Sequence, residues 1–410
     1  MKGTRGREGA FAGAWRLGLA GFFAIAVAFG PARSGFGLFL PDFRREFGLS
    51  TEVSGVIAGG SYGGYLVALS LVGLFAARFG PRLFVTVGGI SATTGMILVA
   101  IAPNAPLLAT GLILAASYAG WSWSPYNDAV EREVPSRLRG RVLSAISTGT
   151  TFGLAMAGLI ALAAGVWGLP WRAAWLGFAA AALAVTAWNA RALPGGTQGP
   201  EPSAPQHGAD PGWLLRPGSV VLFGVALSFG VVSGFYWSFA VDFISRSGAL
   251  PPEAGPVFYI ALGIAGFVGL LTGDAIARFG LRCTLAACLI SLGVVGLLLG
   301  FAGAAAWAVV GVSAAFLGAG IMCTSALLSV WSSLLFPEQP STGFSAVLLF
   351  LGIGTIVGPV ALGTFASHSS LDAAFPVAGA LALLTALVAA LARTSEDPSV
   401  RPAPRPVQER

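Results

Sequence analysis

The chain has 410 residues, 55% of them hydrophobic and 10% charged, with a mean hydropathy of +0.80. So much apolar surface has no place inside a water-soluble core of ordinary size, which excludes a soluble globular protein and demands a bilayer. The formal net charge of +6 sits mostly at the ends of apolar runs, so it reads as a topological signal with attraction to anionic lipid and not as a nucleic-acid surface.

The apolar runs are long enough to cross ~30 Å of hydrocarbon as helices of roughly 20 residues, and no alternation of apolar and polar residues marks barrel strands. Residues 1–13 form a short basic segment with Lys2, Arg5 and Arg7. A signal peptide begins the same way, but the run behind this segment lacks a small-residue cleavage site and is too long, which predicts a retained span. Six spans follow, near 14–40, 53–76, 84–102, 106–130, 142–164 and 172–192, forming a first bundle over 14–192. Residues 193–217 open with "LPGGTQGPEPSAPQHGADPGW", the composition of a flexible linker, and leave His207 solvated. Six more spans, near 218–240, 254–276, 283–302, 306–331, 344–366 and 373–393, form a second bundle over 218–393. The polar, Pro-rich residues 394–410 are expected to be a disordered tail.

Arg78, Arg82, Arg132, Arg137, Arg139, Arg141, Arg191, Arg216, Arg278, Arg282 and both termini fall on one side of this plan. Only Arg44, Arg45, Arg172 and Arg246 fall on the other, so the linker and both termini are expected in the cytoplasm. Cys283, Cys288 and Cys323 all lie in apolar spans, which supports neither a disulfide framework nor a zinc site. Lys2 is the only lysine, so the phosphate-gripping loop of an ATPase is absent, and no cofactor is called for. His207 and His368 are the only histidines and form no HExxH, and no GxSxG occurs, so an enzyme is not expected. Few lysines beside many arginines, with much Ala, Gly and Pro, suggest a GC-rich bacterial genome and hence an inner (plasma) membrane.

The chain repeats itself. "ARFGPR" at 77–82 returns as "ARFGLR" at 277–282, and the same shift pairs Phe29-Gly30 with Phe229-Gly230, Asp42-Phe43 with Asp242-Phe243, and Gly63 with Gly263. Gly149, Gly153 and Gly158 share the spacing of Gly354, Gly358 and Gly363. The expected fold is therefore all-α, with two six-helix bundles in tandem. An even number of spans in each makes the repeats parallel, related by an axis along the membrane normal.

Each copy of the loop reads Gly-x-x-x-Ala-Arg-Phe-Gly-x-Arg between the second and third spans of its half. Gly80 and Gly280 suit a turn of positive φ, the arginines Arg78, Arg82, Arg278 and Arg282 reach headgroups or a carboxylate, and Gly73 and Gly273 leave room for a neighbouring helix. With twelve spans, a central linker and "VPSRLRGRVLS" after the fourth span, the chain resembles the major facilitator superfamily. The resemblance implies a conformational latch in which the loop arginine pairs with an acid near the end of the fourth span, here Asp128 or Glu131. The aspartate usual in the loop is Ala77 in one copy and Ala277 in the other, so the latch lacks one charge. The fifth span, "GTTFGLAMAG", also lacks the proline of drug/proton antiporters, whereas Gly358-Pro359 stands in the eleventh.

An ionisable group in hydrocarbon is costly, which makes Arg33 the most informative residue in the chain. It sits 7 residues, about 10 Å, before the expected outer end of the first span, and the repeat sets Ser233 opposite it. Tyr62, Tyr65, Tyr118, Trp121, Trp237 and Tyr259 are the further candidates for an aromatic-walled substrate site, with helix packing or interfacial anchoring as the alternative for each. Arg33 suits a carboxylate or other anion, or else pairs with Asp42 or a backbone carbonyl. Asp128 and Asp274 are the candidates for relaying protons, and each equally suits a structural pair with Arg78 or Arg278.

The expected protein is thus a secondary transporter of a small organic solute, anionic on the strength of Arg33, working as a monomer in the bilayer by alternating access. Proton coupling is an expectation carried by the resemblance, and uniport stays open. Two alternatives stand beside it: efflux of amphipathic compounds through the aromatic cavity, and a membrane sensor that keeps the scaffold without turnover.

Overall fold

A computed structural model describes residues 2–195 and 218–391, so the linker and tail calls lie outside the described residues. Those residues are helical throughout, with no strand among them. Helices α1 (Lys2–Val27) and α2 (Arg33–Phe47) join through a π-helical turn, Ala28–Ala32, into the first span. The first half continues with α3 (Thr51–Phe79), α4 (Pro81–Ile101), α5 (Ala105–Glu133), α6 (Ser136–Val166) and α7 (Trp171–Ala192). The second half comprises α8 (Ser219–Arg246), α9 (Ala254–Gly266), a 3₁₀ turn at Phe267–Leu271, α10 (Thr272–Ala302), α11 (Trp307–Leu335), α12 (Pro340–His368) and α13 (Leu371–Leu391).

Eleven helical stretches among the described residues are long and apolar enough to cross a membrane. One of them, Ala254–Ala302, runs for 49 residues, or about 74 Å at helical rise, more than twice the hydrocarbon thickness. Gly280 breaks it with φ 79° and ψ 161°, so it holds two crossings, and the expected twelve are present. Gly80, with φ 73° and ψ 168°, makes the same turn in the first half. A side chain is strained at either backbone conformation, which is why both loop copies keep glycine there.

Helix ends follow local chemistry. The Ser50 hydroxyl accepts from Val53 N at 3.1 Å and starts α3, and Asn104 Oδ1 accepts from Leu107 N at 3.0 Å and starts α5. The first span runs further than hydropathy suggests, since the polar turn after Pro41 stays helical until Gly48 caps it at φ 63°. Arg33 therefore lies 14 residues, about 21 Å, before the helix end and not 7.

The two halves repeat the same packing. A Cβ on Gly153 would lie 2.1 Å from the Ala26 carbonyl oxygen, and one on Gly358 would lie 2.1 Å from that of Val231. In each bundle the fifth helix of the half thus presses glycine against the backbone of the first. Between bundles, α3 packs on α12, α6 on α9, and α2 on α8.

These interbundle contacts crowd toward the end of the molecule that carries the 48–50 and 167–170 loops. There a Cβ on Gly55 would meet the Pro359 oxygen at 2.3 Å, and one on Gly263 would meet Ala155 N at 2.6 Å. At the other end, which carries the Arg78 and Arg278 loops, the bundles part. Gly73 and Gly273 were expected to seat a neighbouring helix, yet both are exposed with nothing within 4 Å of a built Cβ, because no helix reaches them in this conformation.

Candidate substrate cavity

Between the bundles lies a cavity of about 590 Å³, within the usual range for small-molecule sites. On α6 its lining runs from Leu143 to Leu154, on α11 from Ile321 to Ser329, and on α12 from Phe344 to Thr355. All three stretches lie between mid-depth and the end where the bundles part. The cavity therefore begins near the middle of the membrane and opens toward the arginine-rich end.

Arg33 sits at the closed apex. The π turn just before it contains Pro31, which has no N–H to give to the preceding turn, and the Ser34 hydroxyl donates to the Phe29 carbonyl at 2.8 Å. The extra residue in that turn swings Arg33 onto the cavity face. Its guanidinium carbon lies 4.6 Å from the centroid of Tyr65, 5.2 Å from Tyr62 and 5.5 Å from Phe29. Such ring faces each stabilise a cation by roughly 0.5–2 kcal/mol. No carboxylate pairs with Arg33 among the described residues. Asp42, the partner considered from sequence, instead meets Arg45 at 3.4 Å.

The other candidates divide. Tyr62, Tyr65, Ser233 and Trp237 line the cavity with Arg33. Ser233 donates its proton to Phe229 O at 2.7 Å, which leaves its lone pairs toward the space. Tyr259 lies just behind the wall, with its hydroxyl 3.1 Å from Ser34 O and 3.2 Å from Trp237 O, where it braces the two helices that carry the site.

Tyr118 and Trp121 do not line it. They face α4, where a Cβ on Gly88 would meet both, and Trp121 stacks on Phe84 with ring planes 12° apart. The cavity face of α5 is the one bearing Trp123 and Asn127, which the sequence reading passed over. It also passed over a band of hydroxyls on the walls: Ser147, Thr148 and Thr151 on α6 and Ser325 and Ser329 on α11. The amide of Asn127, one turn beyond Trp123, is a weak signal for that face, and isolated Ser and Thr in apolar spans give none.

Asp128 and Asp274 are not among the lining residues, and Asp274 is exposed in the first turn of α10. In the loop copies, Arg78 lies over Phe79 at 5.4 Å and Arg278 over Phe279 at 5.4 Å. Arg78 makes no ion pair among the described residues, so the pairing of this arginine with Asp128 or Glu131 that the resemblance implies is not formed here. Arg82 is exposed and Arg282 half-buried.

The opposite end is held by charges instead. Arg246 of α8 meets Asp242 at 2.7 Å, Arg44 of α2 meets it at 3.6 Å, and both arginines also donate to Thr51 Oγ1, at 3.1 and 3.0 Å. Asp242 is only 2% exposed while its arginine partners reach solvent, so the cluster ties the bundles together through a buried carboxylate at the rim of the contact.

Two helical bundles around a cavity open at one end define a membrane transporter scaffold of the alternating-access kind. The sequence profile of the Major Facilitator Superfamily matches residues 22–339, and the chain belongs to that family of secondary transporters. Among curated proteins, the "Transcription regulatory protein OpdE" of Pseudomonas aeruginosa is 25% identical over 320 residues, spanning 76% of this chain and 78% of its own. Among solved structures, the nucleoside transporter NupG matches with a TM-score of 0.74 at 13% identity, covering 91% of this chain and 98% of its own. A bacterial homolog of the human lysosomal transporter Spinster, in an inward-facing and unoccupied conformation, matches at 0.68 and 15% identity, covering 93% and 94%. These structural likenesses establish the fold.

Proposed function

We propose that this protein carries a small organic anion across the membrane, with Arg33 as the group that binds its negative charge. The observation that carries the reading is an arginine at mid-depth, in contact with three aromatic rings and with no carboxylate partner among the described residues, at the closed apex of the cavity. Guanidinium suits a carboxylate through paired, charge-assisted hydrogen bonds, and the rings hold its plane while leaving its edge to the ligand. Trp123 and Trp237 offer flat apolar contact to the body of such a ligand, and the wall hydroxyls and Asn127 offer polar contact toward the open end.

The arginine-rich end faces the cytoplasm of a bacterial cell in this reading, since Lys and Arg are retained there. The structure is then the inward-open state, and transport requires the bundles to rock until the Arg44–Asp242 end parts and the Arg78 end closes. Among the described residues no carboxylate lines the cavity, so none of them offers a proton-coupling site within it. Asp128 and Asp274 remain the candidates if protons are moved.

A second reading has one observation in its favour: the Pseudomonas relative is named as a transcription regulatory protein. On that reading the cavity senses an anion without turning it over. Exchange of external radiolabelled carboxylate into vesicles that contain the purified protein and are preloaded with the same carboxylate unlabelled separates the two. Accumulation above protein-free vesicles, lost in Arg33→Ala, supports transport; binding without accumulation supports the sensor.

A further inference from the structure

Resting on the reading of Arg33 as the anion site, we infer that the protein works as an anion exchanger: the empty carrier cannot turn over, and each anion carried one way must be replaced by another for the return. Among the described residues, Arg33 is the only charged one that lines the cavity. Three rings cover it, and its remaining access to water is through the cavity itself. For the bundles to rock, the cavity must close at the arginine-rich end before it opens at the other, and closing expels that water.

Among the described residues no acid stands ready to neutralise the charge at that moment. Asp42 lies nine residues along the same span, about 13 Å away at helical rise, and already faces Arg45. Asp242 lies nine residues beyond Ser233 and is held between Arg44 and Arg246. Glu52 on α3 and Asp128, Glu131 and Glu133 on α5 sit on lining helices but outside the lining set, toward the helix ends, and Asp274 starts α10, which contributes no lining residue. A dry, uncompensated guanidinium is strongly disfavoured, whereas a bound monoanion cancels it. The loaded carrier crosses as a neutral whole, and the empty one is trapped on the side where it released its cargo. Uniport is thereby excluded in favour of exchange, and the cargo class narrows to anions of a single net charge, because a dianion would leave a net charge of its own.

The test needs no knowledge of the cargo. In a background with Cys283→Ser, Cys288→Ser and Cys323→Ser, dyes on Arg137→Cys and Pro337→Cys report the gap at the arginine-rich end by single-molecule energy transfer. The protein is held in nanodiscs of neutral lipid, in Bis-Tris brought to neutral pH with polystyrene sulfonic acid, so that the counter-anions are polymers too large to enter the cavity. The expected result is that the parent stays open at this end, Arg33→Lys behaves the same, and Arg33→Gln interconverts at least about tenfold faster, the rate change for roughly one decade of barrier. Equal interconversion in parent and Arg33→Gln overturns the exchange mechanism. So does fast interconversion in Arg33→Lys, since charge would then not be what holds the carrier. Anion binding is read separately, by thermal shift with benzoate as the probe on parent and Arg33→Gln, so a site that binds anions yet cycles when empty remains distinguishable from one that binds none.

Discussion

Arg44 Nε of the first bundle lies 3.6 Å from Asp242 Oδ1 of the second, at the end of the molecule where the cavity is closed. The Asp242 side chain is 3% exposed and also holds Arg246 of its own helix, so one carboxylate bridges two guanidinium groups, one of them across the interface. Removing its charge leaves two arginines facing each other. We expect Asp242→Asn to weaken this closure by about 2 kcal/mol, the scale of a hydrogen bond to a charged group, and so to raise the population open at this end about thirtyfold. Labelling of Ser233→Cys by a membrane-impermeant maleimide applied from this side checks it; unchanged labelling counts against the gate.

Close approach of the bundles depends on absent side chains. In Gly263→Val the new Cβ falls 2.6 Å from Ala155 N, and overpacking of this kind costs about 1–3 kcal/mol. The same closed end should therefore loosen, with a lower melting temperature in detergent. Gly273→Ala, whose Cβ meets open space, should alter melting by no more than about 0.5 kcal/mol equivalent. A reversed ranking of the two would show that the interface is elsewhere.

The rings around Arg33 position it. Tyr65→Leu removes the nearest face, at 4.6 Å, and is expected to lose about 1 kcal/mol of cation–π stabilisation and to weaken carboxylate binding about fivefold. Tyr65→Phe keeps the face and should stay within about twofold of the parent. Isothermal titration with one carboxylate ligand decides between ring and hydroxyl as the working part.

Arg78 lies on Phe79 in the parted state and makes no ion pair among the described residues, so its removal costs this state little. If it serves the state in which this end closes, Arg78→Ala should shift the population further toward the open form seen here. Cysteine accessibility measured on both faces, equal in mutant and parent, would refute a gating part for it.

Much of this was legible in the sequence because it rests on charge and repetition. Arg33 stands out against hydrocarbon, and the paired loops at 77–82 and 277–282 announce the two bundles and the glycine turns between their helices. Less legible was the extent of the first span: hydropathy stops near residue 40, while backbone hydrogen bonding carries the helix through a polar turn to Phe47, placing Arg33 deeper. The face of α5 was misread because in a membrane both faces of a helix are apolar, so Tyr118 and Trp121 at helical spacing look no different from Trp123 and Asn127. The hydroxyl band was hidden for a related reason. Ser147 donates to Leu143 O at 2.8 Å and Ser325 to Ile321 O at 2.9 Å, a habit that makes such residues compatible with any apolar helix. The Arg44–Asp242–Arg246 cluster joins residues some two hundred positions apart, and only the fold brings them together.

The most direct measurement is thermal-shift titration of the purified protein with a panel of monocarboxylates and cationic amphiphiles, in parallel on the parent, Arg33→Lys and Arg33→Ala, because a ligand that binds the folded state raises its apparent stability. The account predicts that at least one carboxylate stabilises the parent, that Arg33→Lys retains part of the effect, and that Arg33→Ala loses it. Stabilisation by amphiphiles alone, indifferent to Arg33, would contradict an anion site and return the cavity to the efflux reading.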